Sequence, residues 1–264
     1  MNIFVRELKS YRKSIIFWSI GIILLVASGM NKYEATASGG QLDSVMDDMP
    51  KALKALMGSG DLDLSKASGY YGILVVYFLL MATIHGAMLG ANIIAKEERD
   101  RTAEFLFAKP VSRTAVVTAK LLGALANILL LNIVTWASSV AIVGNYSKGE
   151  AVNGDIAIVM AGMLLLQLLF LVIGTAIAAA YANPKKAASL ATGILLITFI
   201  LSIAIDLNDQ LETLRVFTPF KYFEAKDIMY GGGLNIVFVL LSIVLIAVLT
   251  VITYILFKKR DLHV

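Results

Sequence analysis

The chain has 264 residues, 58% of them hydrophobic and 16% charged, with a mean hydropathy of +0.79 and a formal net charge of +4. Soluble domains carry about 25% charged residues, so this composition excludes an ordinary soluble domain and points to a chain that lives in lipid. There is no cysteine, which excludes disulfides and thiol-ligated metals. The basic residues gather at the ends of apolar runs rather than in one patch, so the pI near 9.1 does not suggest nucleic acid as a partner.

A membrane-crossing helix needs about 20 apolar residues. Six segments qualify, at about 15–30, 71–95, 121–144, 156–182, 187–205 and 236–257. The expected fold is therefore a single all-α polytopic domain over 1–264. The first segment is short, but it opens a regular series of spans and so reads as a span rather than a signal peptide. No Asp, Glu, Lys or Arg falls inside these segments. Fifteen Lys/Arg and six Asp/Glu fall on one side, net +9; eight Lys/Arg and thirteen Asp/Glu fall on the other, net −5. Short basic loops stay in the cytoplasm. Both termini, the 96–113 loop and the 183–186 turn are therefore expected to be cytoplasmic in a multi-pass cell-membrane protein.

In chain order, residues 2–13 place Ile3, Phe4, Leu8 and Tyr11 on one helical face, opposite Arg6, Lys9 and Lys13. That pattern predicts an interfacial helix leading into the first span. Residues 31–69 form the longest outer loop. Leu42, Val45, Met46, Met49, Leu53, Leu56 and Met57 keep helical spacing up to and beyond Pro50, which predicts one broken amphipathic helix or two short ones. It could gate an exit path or simply pack over the span ends.

The second span contains Gly86-x-x-x-Gly90, which allows close helix approach, and His85, the one intramembrane histidine. With no acidic partner, His85 makes a poor metal site or proton relay. A neutral ring bonded to a neighbouring helix fits it, beside the alternative of a place on a transport pathway. Asn92, Asn127, Asn132 and Gln167 are read in the same way, as interhelical hydrogen-bonders or pathway residues. Residues 206–233 carry Phe217, Phe220, Tyr222, Phe223 and Tyr230 among charges, which predicts a re-entrant or interfacial outer segment before the last span.

The stretch 96–113, KEERDRTAEFLFAKPVSR, lies between the second and third spans. Its first half is charged on nearly every side, so it is expected to project into water as a helix. Glu97 and Arg101, four apart, would support that helix. Pro110 would end it and Ser112 would cap the next one. Phe105, Leu106 and Phe107 make an apolar knob, and an exposed apolar knob calls for a partner surface.

Glu97–Glu98–Arg99, Thr102–Ala103–Glu104, Pro110–Val111–Ser112–Arg113 and Lys120 together resemble the cytoplasmic loop of the ABC-2 type permeases, the membrane subunits of ABC exporters. Thr218-Pro219-Phe220 weakly resembles that family's outer signature before the last span. Arg101 departs from the family, which usually has Gly there, and the departure predicts a more regular start to the helix. The resemblance spans nearly the whole chain. It implies a permease subunit coupled through Glu97, Glu98, Arg101, Thr102, Glu104, Phe105, Leu106, Phe107, Pro110 and Arg113 to a separate ATPase. Lys185 and Lys186 would be a second contact, although a positive-inside anchor explains them equally well.

The resemblance further implies two ATPase copies and a second permease copy, as a homodimer or heterodimer among membrane lipids. This chain would bind no cofactor; ATP and Mg would sit in the partner. Its nearest phosphate-loop spacing, Gly144-x-x-x-x-Gly149, is followed by Glu150 rather than Lys, so the chain by itself is not expected to be an enzyme. A pathway without charges suits an apolar or amphipathic cargo such as a peptide, drug or lipid. The small size and the lack of a large outer domain fit the group exporting phenol-soluble modulins and lantibiotics.

Two other classes fit the sequence less well. An ion-driven secondary transporter usually shows charges near mid-bilayer and repeated broken helices. An intramembrane enzyme of the Glu-Glu-x-x-x-Arg type would need its Arg one residue beyond Arg101 and more intramembrane histidines than His85, because a metal needs three or four ligands.

Overall fold

The computed structural model describes residues 3–37, 49–58, 62–102, 104, 111–147, 149, 151–181 and 183–260. These residues are helical apart from short connections, with no strand among them. Six helices are long and apolar enough to cross a membrane: α1 Ile3–Ala37, α3 Ala67–Arg99, α4 Arg113–Tyr146, α5 Asn153–Ala180, α6 Pro184–Leu207 and α8 Ile236–Lys259. A short helix, α2 Lys51–Met57, follows Pro50, and a one-turn helix, α7 Ala225–Ile228, precedes the last span.

α1 differs from the expectation. The amphipathic N-terminal stretch is not a separate interfacial helix but runs without a break into the first span, giving 35 residues, about 52 Å at 1.5 Å per residue. No Pro or Gly lies between residues 3 and 20 to interrupt it. Its buried polar position is Glu7, packed where Gly123 of α4 leaves room.

α3 and α5 form the centre. Glycines on both helices bring the backbones together: a Cβ on Gly86 would lie 2.7 Å from the Gln167 carbonyl oxygen, and one on Gly174 would lie 2.9 Å from the Ala91 nitrogen. A Cβ on Gly90 would run into the Leu171 carbonyl. The small-residue spacing thus works as expected. α1, α6 and α8 are peripheral. Their exposed large apolar side chains, such as Phe17, Ile197, Ile200, Val244 and Val251, mark surfaces suited to lipid.

Connections alternate between two faces of the bundle. Ion pairs among residues 6, 7, 96, 97, 98, 120 and 260 gather the start of α1, the end of α3, the start of α4 and the end of α8 on one face. This is the terminal face of the bundle. At the opposite face the Tyr33 hydroxyl donates to the Ser65 carbonyl at 2.9 Å, joining α1 to the approach of α3.

A cap closes the opposite face. It comprises 3₁₀ turns over Asp209–Phe217, Pro219–Lys221 and Met229–Gly231, with α7 between the last two. This differs from one re-entrant helix: the short turns wedge the alternate aromatics into the bundle end. Phe220 meets Phe170 and Phe199 at ring distances of 5.4 and 5.2 Å, and Tyr222 stacks on Phe238 at 4.6 Å. Phe217 remains 70% exposed. The part of the 31–69 loop predicted to be helical at Leu42, Val45 and Met46 lies outside the described residues. Beyond Pro50 the helix forms and ends at Gly58, in the left-handed region at φ +60, which suits glycine.

Candidate functional site

The last turn of α3 carries Lys96, Glu97, Glu98 and Arg99. Successive helical residues point about 100° apart, so these four charges face four directions. Sequence reasoning sent such a turn into water. The structure instead surrounds most of it with partners from other helices.

Glu97 is 6% exposed. One carboxylate oxygen accepts from Arg6 Nη2 of α1 at 2.7 Å, and the other accepts from Lys120 Nζ of α4. Lys120, fully buried, also donates to the Ile93 carbonyl. A charged side chain therefore lies buried inside the bundle, two turns into α4 and just before the charge-free segment 121–144. Glu7, fully buried, accepts from Lys96 Nζ at 2.8 Å and pairs with Arg6 at 3.1 Å. Lys96 also donates to Ser10 Oγ at 2.9 Å. Two carboxylates and three cations so join α1, α3 and α4. Desolvating these charges is costly, and only mutual pairing offsets it.

Glu98 faces the other way. It pairs with Arg260 just beyond α8, whose guanidinium also donates to the Ala178 carbonyl and, at 2.8 Å, to the Tyr181 carbonyl. These carbonyls end α5, where a helix lacks its own donors and a cation is favoured. Burial pulls the Arg260 guanidinium below its usual range, while Glu98 pulls it back up. Arg113 at the start of α4 does for α8 what Arg260 does for α5. It donates to the Lys258 and Arg260 carbonyls at 3.0 and 2.6 Å.

Between these clamps the chain leaves α3 by a defined stop. Thr102 N–H donates to the Glu97 carbonyl at 2.8 Å and Arg101 N–H to the Glu98 carbonyl at 3.3 Å. Arg101 sits at φ +54. That is the pattern of a Schellman stop with Arg where Gly is favoured. The expectation that Arg101 would prolong the helix is therefore corrected: it takes the left-handed conformation itself. The Glu97–Arg101 helical pair does not form, because Arg101 has left the helix and Glu97 is held by Arg6 and Lys120.

Arg101, Thr102 and Glu104 are exposed. Phe105, Leu106, Phe107 and Pro110 lie outside the described residues. Ser112 caps α4 as expected, its Oγ accepting from Ala115 N–H at 3.1 Å. Asn183 caps α6 by accepting from the Lys185 and Lys186 N–H groups, which leaves both lysine side chains exposed on the terminal face.

The intramembrane polar residues divide. Gln167 Nε2 lies 3.1 Å from His85 Nδ1 and Trp18 packs edge-on to the imidazole at 5.7 Å, so α5 and α3 are bonded as expected. Asn132 Nδ2 donates across to the Met160 carbonyl at 3.2 Å. Asn127 and Asn92 do not cross. They donate to the Gly123 and Met88 carbonyls of their own helices, and Asn92 Oδ1 accepts from Arg99 at 3.1 Å.

Sequence reasoning missed Arg6, Glu7 and Arg260 as site residues. Glu7 alone left a signal, as the one acid in an otherwise basic N-terminal stretch. Arg6 and Arg260 read as ordinary positive flanks until the fold brought carboxylates to them.

Six helices long and apolar enough to cross a membrane, with helix ends knitted together by buried ion pairs on one face, define a polytopic membrane protein. A family model described as ABC-2 family transporter protein matches residues 1–262. The chain belongs to that family, and is thus the permease-type membrane component of an ABC transporter. A comparison with curated proteins gives no match.

Proposed function

We propose that the chain forms the translocation pathway of an ATP-driven exporter for an apolar or amphipathic substrate, with both termini cytoplasmic. It works with a second permease copy and two copies of a separate ATPase that binds ATP and Mg. The 100–112 loop is the docking element. Its exposed residues Arg101, Thr102 and Glu104, together with Arg113 and the segment containing Phe105, Leu106, Phe107 and Pro110, meet the ATPase. Lys185 and Lys186 lie exposed on the same face and supply a second contact.

One observation carries this reading: both ends of that loop are clamped to the spans. Glu97 and Glu98 tie its start to α1, α4 and α8, and Arg113 ties its end to α8. A displacement of the loop is therefore delivered to several helices at once. Glu97 and Glu98 act as transmitters of that motion more than as docking contacts, since the chain itself occupies them.

The test uses single cysteines placed at Arg101, Glu104 and Lys185 in this cysteine-free chain, with a short bifunctional crosslinker and a co-expressed ABC ATPase. Crosslinks from positions 101 and 104 that strengthen or weaken with trapped nucleotide are expected. Failure of both positions to reach an ATPase that co-purifies and drives transport would overturn the docking assignment. ATP turnover by the isolated chain would overturn the subunit reading.

A further inference from the structure

The first three turns of α1, residues 3–13, carry four cations and one acid. They divide between two sides of the helix. Arg6 and Glu7 belong to the ion-pair layer shared with α3, where Glu7 is buried and meets Lys96. Lys9, Arg12 and Lys13 are exposed. Among the described residues none of these three has an ion pair or a side-chain hydrogen bond. Asp100, just past α3, is itself paired with Arg99 at 3.0 Å.

The same outward face continues as an apolar stripe. Helical residues three, four and seven apart share a face, so Lys9, Arg12 and Lys13 stand in line with Ile16, Ile20 and Leu24, which are 56%, 52% and 62% exposed. Between Lys13 and Lys32 the helix carries no charge over the 18 residues 14–31, about 27 Å at 1.5 Å per residue. That is close to the roughly 30 Å of a bilayer's hydrocarbon, so Lys13 stands at its edge. Lys9 and Arg12 stand within about 6 Å of Lys13 along the axis, at the depth of lipid phosphates. A second copy of the chain suits this end of the face poorly. Two copies inserted the same way and related by a two-fold axis place equal residues at equal depth. At this depth the other peripheral helices present exposed lysines, Lys185 and Lys186 of α6 and Lys258 and Lys259 of α8, so a copy apposed through them brings like charge.

We propose that the outward face of α1 at Lys9, Arg12 and Lys13 binds an anionic phospholipid, its phosphate against the three cations and its chains along Ile16, Ile20 and Leu24. Each Lys or Arg close to an anionic headgroup favours association by roughly fivefold. Arg12 offers the planar donor pair that fits a phosphate, and the lysine stems lie along apolar surface while their ammonium groups reach the headgroup. The opposite side of the same turns holds Glu7 to Lys96 and Arg6 to Glu97, so a bound lipid fixes the α1 end of the ion-pair layer from outside. The site stands on α1 alone and does not depend on how the 100–112 loop meets a partner.

The experiment places a bimane fluorophore on Ile16→Cys in the otherwise cysteine-free full chain, in phosphatidylcholine nanodiscs. Phosphatidylglycerol or phosphatidylcholine carrying a nitroxide near the top of one acyl chain is added at equal mole fraction. Phosphatidylglycerol is expected to quench with an apparent association at least about fivefold stronger. The preference should vanish in Lys9→Gln/Arg12→Gln/Lys13→Gln and persist in Lys9→Arg/Lys13→Arg, with thermal unfolding followed in each variant. Arg12→Gln alone should give an intermediate preference, a reading that survives a fold defect in the triple variant. A bimane on Ile255→Cys of α8, 47% exposed near the same face, should be quenched equally with and without the α1 cations. Equal quenching by the two lipids at position 16, or indifference to charge removal in folded protein, would overturn the proposal. So would a matching loss at position 255, which would mean that the cations act on the whole leaflet. Disulfide formation between Ile16→Cys residues of two copies, with shielding from both lipids, would assign the face to a second copy instead.

Discussion

Glu98 at the end of α3 and Arg260 just past α8 are 162 residues apart in sequence and form an ion pair on the terminal face of the bundle. The same guanidinium closes the carbonyl end of α5. One side chain thus fixes three helix ends, and it does so where the 100–112 loop begins.

Removing Arg260 should be far more damaging than removing a surface arginine. Arg260→Gln removes the ion pair to Glu98 and the cation at the carbonyl end of α5 together, and breaking a buried pair of this kind from one side costs up to about 3–5 kcal/mol. Glu98→Gln keeps the guanidinium on its two carbonyls and should cost less. In a double-mutant cycle the pair should show a coupling of about 0.5–3 kcal/mol. Thermal unfolding of the purified chain in detergent measures it, and a coupling near zero would mean that the pair is not formed.

Arg101 holds a left-handed backbone that costs a residue with a Cβ about 1–2 kcal/mol. Arg101→Gly should therefore keep the fold and raise stability by about 1 kcal/mol. Arg101→Val should lower it, because β-branching makes that conformation worse. The comparison of melting temperatures separates backbone from charge, since both variants lose the guanidinium. Equal stability of the two would contradict the stop described at the end of α3.

The α3–α5 contact predicts a sharp contrast among glycines. Gly90→Ala forces a Cβ into the Leu171 carbonyl, a backbone atom that cannot swing aside, and overpacking of this kind costs about 1–3 kcal/mol. Gly193→Ala on α6 meets nothing within 4 Å and should be silent. Monodispersity and melting temperature would decide it. A harmless Gly90→Ala would mean that the two central helices are further apart than described.

Sidedness follows from charge. Hypothesis: the terminal face is cytoplasmic, because the basic excess lies there. Cysteines at Lys51 and at Lys185, both exposed, should react with an impermeant maleimide from outside and inside respectively. Lys221, although also assigned to the outer side, is a poor reporter because it is buried in the cap. Outside labelling of position 185 in intact cells would reverse the orientation.

The six spans, the N-cap at Ser112 and the glycine approach of α3 were legible in the residues. Each rests on a local rule: apolar length, a side-chain oxygen before a helix, small residues at helical spacing. The sequence also placed the charged 96–113 stretch between the second and third spans, where the structure has it between α3 and α4. Local rules could not say where the charges of that loop point. Lys96, Glu97 and Glu98 looked like a water-facing turn because a helix considered alone has only solvent around it. Arg6, Lys120 and Arg260 are 91, 23 and 162 residues from their glutamate partners, and no periodicity connects them. Only the packing of five helix ends on one face brought them together. Arg101 failed for a related reason: its propensity favours a helix, but the folded surroundings of Glu97 and Glu98 end the helix one residue earlier.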